Sequence, residues 1–329
     1  MTSTAIPKSI GRKDIAESMV ESPWRLAWRR FRRHRAAVTA LAGIFVILAY
    51  IWFGGLFFSR GLCAPTGEYL TSEAYANCND LAKKLQPPSR EHPFGTDTIG
   101  RDILARTIYG GQISLSIGIF AAIVEVFVGV LVGAIAGYFG GWIDDLLMRI
   151  TEAMLIIPSL FLLLVLSKML GGRVPPIELL GRTFSGSVIV IILVIGFTSW
   201  MYLARIVRAN VLSLKNLDFI SASRALGVGD ARIIFRHLLP NTIAPIIVSS
   251  TLGVSAAILL ESYVSFLGLG VQTPTASWGN MLDTAVKYVQ TAPWLWFFPG
   301  LFILLTVLCI NFIGDGLRDA LDPRSTKHV

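Results

Sequence analysis

Residues 36–58 read Ala36-Ala37-Val38-Thr39-Ala40-Leu41-Ala42-Gly43-Ile44-Phe45-Val46-Ile47-Leu48-Ala49-Tyr50-Ile51-Trp52-Phe53-Gly54-Gly55-Leu56-Phe57-Phe58, with no charged side chain among them. A helix rises about 1.5 Å per residue, so about 20 residues cross the roughly 30 Å hydrocarbon layer of a bilayer. This run is long enough to span one. A cleavable leader would have an apolar centre of about 7–15 residues close to the N-terminus and ending in small residues. The run starts well into the chain and ends in Leu56-Phe57-Phe58, so it reads as a retained span. Arg25, Arg29, Arg30, Arg32, Arg33 and Arg35 precede it, and basic residues mark the cytoplasmic flank of a span. From Ser22-Pro23-Trp24-Arg25 onward, Trp24, Leu26, Trp28 and Phe31 alternate with those arginines, as expected of a short helix lying on an anionic inner leaflet. Residues 1–35 are therefore expected to be a cytoplasmic tail with an amphipathic, lipid-binding segment.

The rest of the chain agrees with a membrane reading. Of 329 residues, 53% are hydrophobic and 15% charged, and the mean hydropathy is +0.63. A soluble domain carries about 25% charge and 45–50% apolar residues, so a soluble enzyme, a disordered chain and a disulfide-built module all fit poorly. The net charge of +8 raises nucleic acid as a partner. The basic residues cluster at the ends of apolar runs, however, and form no stripe interleaved with aromatics. No nucleic-acid role is expected. Five further apolar runs lie at about 112–137, 146–170, 187–209, 242–262 and 293–314. The expected architecture is all-α and polytopic, with six transmembrane helices and both termini cytoplasmic. Its parts are a first span over 36–58, an external loop with a surface helix over 59–111, a core of five spans over 112–316, and a cytoplasmic tail over 317–329. The loop between spans four and five holds Arg205, Arg208, Lys215, Arg224, Arg232 and Arg236, whereas 263–292 holds only Lys287 as a basic residue. That asymmetry places the former inside. Gly118, Gly129, Gly133 and Gly137 would let helix backbones approach closely, and Pro158 is expected to kink the third span.

Chemical motifs are scarce. No G-x-x-x-x-G-K-[ST] loop is present, so nucleotide hydrolysis is not expected of this chain. His34, His92, His237 and His328 lack metal-site spacing, and neither H-E-x-x-H nor G-x-S-x-G occurs. No catalytic residue, metal or cofactor is expected. One ionisable group lies deep in a span, Glu125, which either lines a solute path or pairs with a neighbouring helix. Lys168, Glu152 and Glu261 lie near span ends, where snorkelling suffices. Cys63 and Cys78 share the external loop and are either bridged or two free thiols; Cys309 reads as a small core residue.

The stretch from Leu217 to Asn241 reads as a helix, a glycine break and a second helix. Asp218 is expected to cap the first, Gly227 to end it in a left-handed conformation, and Asp230 to cap the second. Such an elbow suits docking in another protein's groove. It resembles the coupling loop of binding-protein-dependent ABC importer permeases, E-A-A-x3-G-x9-I-x-L-P. Ser221, Ala222 and Ser223 fall on E-A-A, Arg224, Ala225 and Leu226 fill the spacer, Gly227 falls on the glycine, His237 on the isoleucine, and Leu239-Pro240 on L-P. Ser221 replaces the glutamate and His237 the isoleucine.

More of the chain resembles the C-type permease of dipeptide and oligopeptide transporters. Gly95-Thr96-Asp97 with Gly100-Arg101-Asp102 matches its G-T-D-x-x-G-R-D signature before the second span. Gly137-Tyr138-Phe139-Gly140-Gly141, Ser265 to Thr275 and Asn311 to Pro323 are also similar to that branch. The likeness is loose over 23–49 and close over 92–324. By its own pattern, Asp97 reads as an N-cap before Ile99, Ile103, Leu104 and Ile108, a helix lying along the outer surface. The resemblance implies a type I ABC importer permease fold and a chain that is no enzyme. It implies a second homologous permease subunit, two ATPase subunits carrying ATP and Mg, and an extracytoplasmic solute-binding protein, in a bacterial inner membrane. Coupling would pass through 217–240. Peptide is the implied solute, with nickel or another small solute as the alternative; a self-sufficient secondary transporter or channel is the rival from another class.

Overall fold

The computed structural model describes residues 23–63, 65–170, 173–179 and 182–322; the tail expected over 1–22 and the last residues, 323–329, lie outside them. The arginine-rich segment forms α1 (Pro23–Arg33). Trp24 and Trp28 are exposed, while Phe31 is buried against Ala37 and Ala320. The first apolar run forms α2 (Arg35–Phe58), capped by His34, whose Nδ1 accepts from Ala37 N at 3.1 Å.

Beyond α2 the chain is not purely helical. Arg60–Cys63 (β1) and Glu68–Thr71 (β2) pair antiparallel around a turn in which Gly67 has φ +68°. Helix α3 (Ser72–Ala76) follows. Cys63 at the end of β1 is disulfide-bonded to Cys78, with Cα atoms 6.0 Å apart. Closing a loop of that size stabilises a fold by about 3 kcal/mol in the chain-entropy account. Thiol labelling of denatured, unreduced protein should therefore find one of the three cysteines, Cys309; labelling at Cys63 or Cys78 would refute the bridge.

The G-T-D-x-x-G-R-D segment is a buried turn and not the start of a surface helix. Asp97 caps nothing. Its Oδ1 accepts from Ile99 N and Arg101 N at 3.0 and 2.9 Å, and its Oδ2 from Arg101 Nε at 2.6 Å. The cap is Asp102, whose Oδ1 accepts from Ala105 N at 2.8 Å. The helix it starts, α4 (Ile103–Phe139), begins within the stretch expected to be external loop and runs unbroken through the second span. Ile103, Leu104 and Ile108 are buried in the bundle. Gly95 and Gly100 sit at φ +76° and +83°. The Trp294 indole donates to Thr96 O at 3.1 Å, and Asp102 Oδ2 lies 2.6 Å from His92 Nδ1. Nearby, a hydrogen bond from Lys83, reinforced by its charge, holds the exposed Glu91 carboxyl below its ordinary range.

The expected third span is broken. Gly141–Ile156 (α5) and Ser159–Leu170 (α6) meet at 87°. The residue before a proline is driven out of the helical region, and Ile157 accordingly sits at φ −73°, ψ 125°. Pro158 therefore ends one helix instead of merely kinking it. A second hairpin, Ile177–Leu179 (β3) with Arg182–Phe184 (β4), leads into α7 (Gly186–Leu214). After the elbow come α11 (Ile243–Phe266), α12 (Trp278–Ala285) and α13 (Trp294–Leu321), the last extending past the boundary expected at 316. Among the described residues, α2, α4, α7, α11 and α13 are long and apolar enough to cross a membrane, with α5–α6 a sixth if the bent pair counts as one span.

Helix α4 is the spine. A Cβ on Gly129 would lie 3.0 Å from Trp200 O, and one on Gly137 2.9 Å from Arg208 O. Gly129, Gly133 and Gly137 thus set the backbone of α4 directly on α7, the close approach that packing in lipid favours, while Gly118 faces Ile258 of α11. Nearer the start of α4, Trp278, fully buried, donates from its indole to Thr107 O at 2.9 Å and stacks on Phe302.

Candidate coupling elbow and membrane cavity

The elbow consists of α8 (Asp218–Ala225), a turn at Gly227, α9 (Asp230–Arg232), a π turn over Ile233–Leu238, and α10 (Leu239–Asn241), which hands over to α11. Gly227 has φ +76°, and a Cβ there would meet nothing within 4 Å. Neither aspartate caps by its side chain: Leu217 and Gly229 hold the N-cap positions, and Asp218 and Asp230 lie in the first turns. There they still oppose the positive end of the helix dipole. The π turn has a local cause. Pro240 has no N–H to give Arg236 O, and its ring would crowd that carbonyl in an α-helix. Leu239 N bonds instead to Ile234 O, five residues back.

One face of the elbow is buried through Ile220, Ile233, Ile234 and Leu238 on Leu203, Val207 and Val211 of α7. The other face is open. Leu226 at the tip is 84% exposed, and Phe219 and Phe235 of the same elbow are exposed too. Ser221, Ala222, Arg224, Ala225, Gly227 and Pro240 are also exposed, Ser223, His237 and Leu239 half so. Apolar tips rarely face water without a partner surface when several lie together.

The elbow is clamped to the end of α4. Tyr138 Oη donates to Asp230 Oδ1 at 2.5 Å, the Arg224 guanidinium lies 5.1 Å from the Tyr138 ring centroid, and Lys215 Nζ donates to Gly137 O at 2.9 Å. Arg208 of α7 grips Asp144 of α5 with two hydrogen bonds of 2.5 and 2.6 Å. These contacts tie the elbow to α4, and α7 to α5. Tyr138, Asp144, Arg208 and Lys215 carry this linkage, and no spacing rule singles them out. The only sequence sign of Tyr138 is its place in Gly137-Tyr138-Phe139-Gly140-Gly141.

Glu125, in the middle of α4, is buried and lines a cavity of about 590 Å³ together with Pro158, Ser159, Ser199, Ser249 and Gly253. Glu261 does not snorkel. It is fully buried on α11 and accepts hydrogen bonds from Ser265 at 2.7 Å and Ser114 at 3.0 Å. Gly95, Thr96, Asp97, Gly100, Arg101 and Asp102 lie together in the turn before α4, remote in sequence from both elbow and cavity. Among the described residues no group of three His, Cys, Asp or Glu side chains forms a metal site. Cys309 packs over Gly43, where a Cβ would come within 2.9 Å of its sulfur.

Residues 129–327 match the family model described as the binding-protein-dependent transport system inner membrane component. The chain belongs to that family. Residues 22–88 of this permease match a second model, the N-terminal transmembrane domain of oligopeptide transport permease C. It is 42% identical over 303 residues to the dipeptide transport system permease protein DppC of Alkalihalophilus pseudofirmus, covering 92% of this chain and 90% of that one. It is 40% identical over 305 residues to the oligopeptide transport system permease protein OppC of Escherichia coli K12, covering 92% of each. The glutathione transport system permease protein GsiD of Shigella dysenteriae is 40% identical over 310 residues, 94% of this chain and 93% of that one. Among solved structures, a chain of the inward-facing MetNI methionine ABC transporter aligns with TM-score 0.50 at 17% identity, over 67% of this chain and 98% of the other. That likeness concerns the fold. The permease is thus a multi-pass inner-membrane component of an ABC importer, a transport subunit and not a catalyst, and such a system works with an ATPase and a binding protein.

Proposed function

We propose that this permease is one of two homologous membrane subunits of an ATP-driven importer of di- and oligopeptides. Its termini and the 217–240 elbow face the cytoplasm, two ATPase subunits holding ATP and Mg dock on the elbow, and a solute-binding protein delivers peptide from outside. The observation that carries the reading is the elbow: an exposed apolar tip at Leu226 on a left-handed glycine, with its base tied to α4 through Tyr138 and Asp230. A surface helix hairpin without a partner has no need of that combination. The orientation is supported by the arginines of α1 and of the elbow, which lie in the segments that six crossings put on one side.

In this reading the ATPases close and carry the elbow with them. The Tyr138 hydrogen bond and the Arg208–Asp144 pair pass the displacement to α4, α7 and α5, and the π turn beside His237 absorbs the change in angle before α11. Peptide as the solute rests on relatives named for dipeptide, oligopeptide and glutathione transport. Glutathione, itself a tripeptide, is the second substrate to compare, and nickel the third.

Purification in mild detergent is expected to bring down ATPase chains and a second polytopic chain. The reconstituted complex, with its binding protein, should take up labelled dipeptide only when ATP is supplied. A lone homo-oligomer, or uptake that ignores ATP, would refute the assignment. Competition by unlabelled glutathione or Ni²⁺ ranks the substrates.

A further inference from the structure

We propose that Glu125 holds the ammonium group of a peptide in transit, at the middle of the membrane. This deepens the importer reading and rests on it. Glu125 is near the centre of the apolar run 112–137, about 18–20 Å of helix from either end. Among the described residues it is the one charged residue lining the cavity of about 590 Å³, with no lysine, arginine or histidine beside it. The residue is only 9% exposed, and among the described residues no hydrogen bond or ion pair reaches its carboxyl group. The opposing position on α11 is Gly253, where a Cβ would come within 2.8 Å of Glu125 Oε2. Space has been kept for the carboxyl by omitting a side chain.

The remaining walls favour a cation too. Met154 and Leu155, in the last turn of α5, line the cavity. The last four carbonyls of a helix lack intrahelical partners and carry the negative end of its dipole. Ser199 and Ser249 add hydroxyl oxygens. Ser159 brings the N-terminal end of α6 to the same break, with partial charge of the opposite sign. A helix end carries about half an elementary charge, less than the full charge a carboxylate takes on when it pairs with an arriving ammonium. A carboxyl group left without a partner at membrane depth is costly and by default marks a functional site. A primary ammonium supplies the three donors the site lacks.

The test uses the whole importer in proteoliposomes, with Glu125→Gln and Glu125→Asp variants. ATP-dependent uptake of dialanine and binding-protein-stimulated ATP hydrolysis are measured side by side. The expected result is a fall in uptake of roughly ten- to a hundredfold for Glu125→Gln, the loss of one charged hydrogen bond. ATP hydrolysis and subunit assembly should stay near wild type, and Glu125→Asp should recover part of the uptake. Unchanged uptake in Glu125→Gln overturns the proposal. So does a loss of assembly in step with uptake, which would make Glu125 a partner of the second subunit. An uptake rate driven by an imposed pH gradient, lost in Glu125→Gln, would make it a proton site and also overturn it. A wild-type complex without ATP-dependent dialanine uptake fails the dipeptide reading on which this rests, and is recognised before any variant is compared.

Discussion

Gly227→Asp is expected to leave the chain folded in the membrane and reduce ATP-dependent uptake to background. The two halves of that result have different causes. Gly227 has φ +76° with nothing within 4 Å of a Cβ placed on it, so an added side chain meets no neighbour within the chain. An L-residue pays about 1–2 kcal/mol in the left-handed region, and Asp and Asn tolerate it best. The elbow should survive that cost, because Ile220, Ile233, Ile234 and Leu238 still bury it on α7. Docking is another matter. A carboxylate beside Leu226 would enter the surface proposed to fit an ATPase groove, and an unpaired charge buried in an interface costs about 2–5 kcal/mol or more. Gly227→Asn separates the two causes, having the same shape without the charge, and is expected to keep a measurable fraction of uptake. Gly227→Val, β-branched at positive φ, should disturb the elbow itself. Uptake in proteoliposomes, together with ATPase recovered through the permease in mild detergent, reads both effects. Near-normal uptake by Gly227→Asp would sink the assignment of 217–240 as the coupling element.

What the sequence made legible was whatever depends on neighbours along the chain. The first span, expected at 36–58, is helical over Arg35–Phe58, because length and hydropathy alone decide a helix in lipid. The elbow's helix–glycine–helix order was readable for the same reason: a glycine ending a short polar helix is a local signal. The errors lie where two local signals compete or where a distant segment decides. Asp97 and Asp102 both precede apolar residues in a capping pattern. Asp102 takes the cap because Asp97 is already engaged by Arg101 and by two backbone N–H groups of its own turn. Pro158 was legible as a disturbance and not as an 87° break, since the angle depends on where α5 and α6 find packing. Tyr138 looked like one aromatic in a glycine-rich string. Its partners, Asp230 and Arg224, come from the elbow some ninety residues later. Glu261 reads from the sequence as a snorkelling side chain near the end of a span expected at 242–262, because nothing local reveals that Trp278 and its helix fold back over it.

Glu261 yields the other large effect, this time on stability. Its carboxyl accepts from Ser265 Oγ at 2.7 Å, Ser114 Oγ at 3.0 Å and Ser262 Oγ at 3.5 Å. Each hydroxyl has one proton to donate and lone pairs to spare. With their protons turned to Glu261, Ser114 is left to accept from Trp278 N at 3.1 Å and Ser265 from Val271 N at 3.0 Å. The carboxyl thus orients two serines that hold the backbone of the 267–278 turn against α4 and α11. Glu261→Ala removes the acceptor, orphans buried donors at about 1–3 kcal/mol each, and leaves a cavity in a site with no exposure to water. A total loss of about 3–6 kcal/mol is expected on those terms. Glu261→Gln keeps the shape and one acceptor oxygen and should lose about 1–3 kcal/mol. A 1 kcal/mol change shifts the melting midpoint of a chain of 150–250 residues by about 2–4 °C, so the two variants should separate clearly in a thermal melt followed by size exclusion in detergent. The expected order is wild type, then Glu261→Gln, then Glu261→Ala, the last with little monodisperse protein. An alanine variant melting with wild type would mean that the serines find other acceptors, and the carboxyl would then have no part in holding the turn.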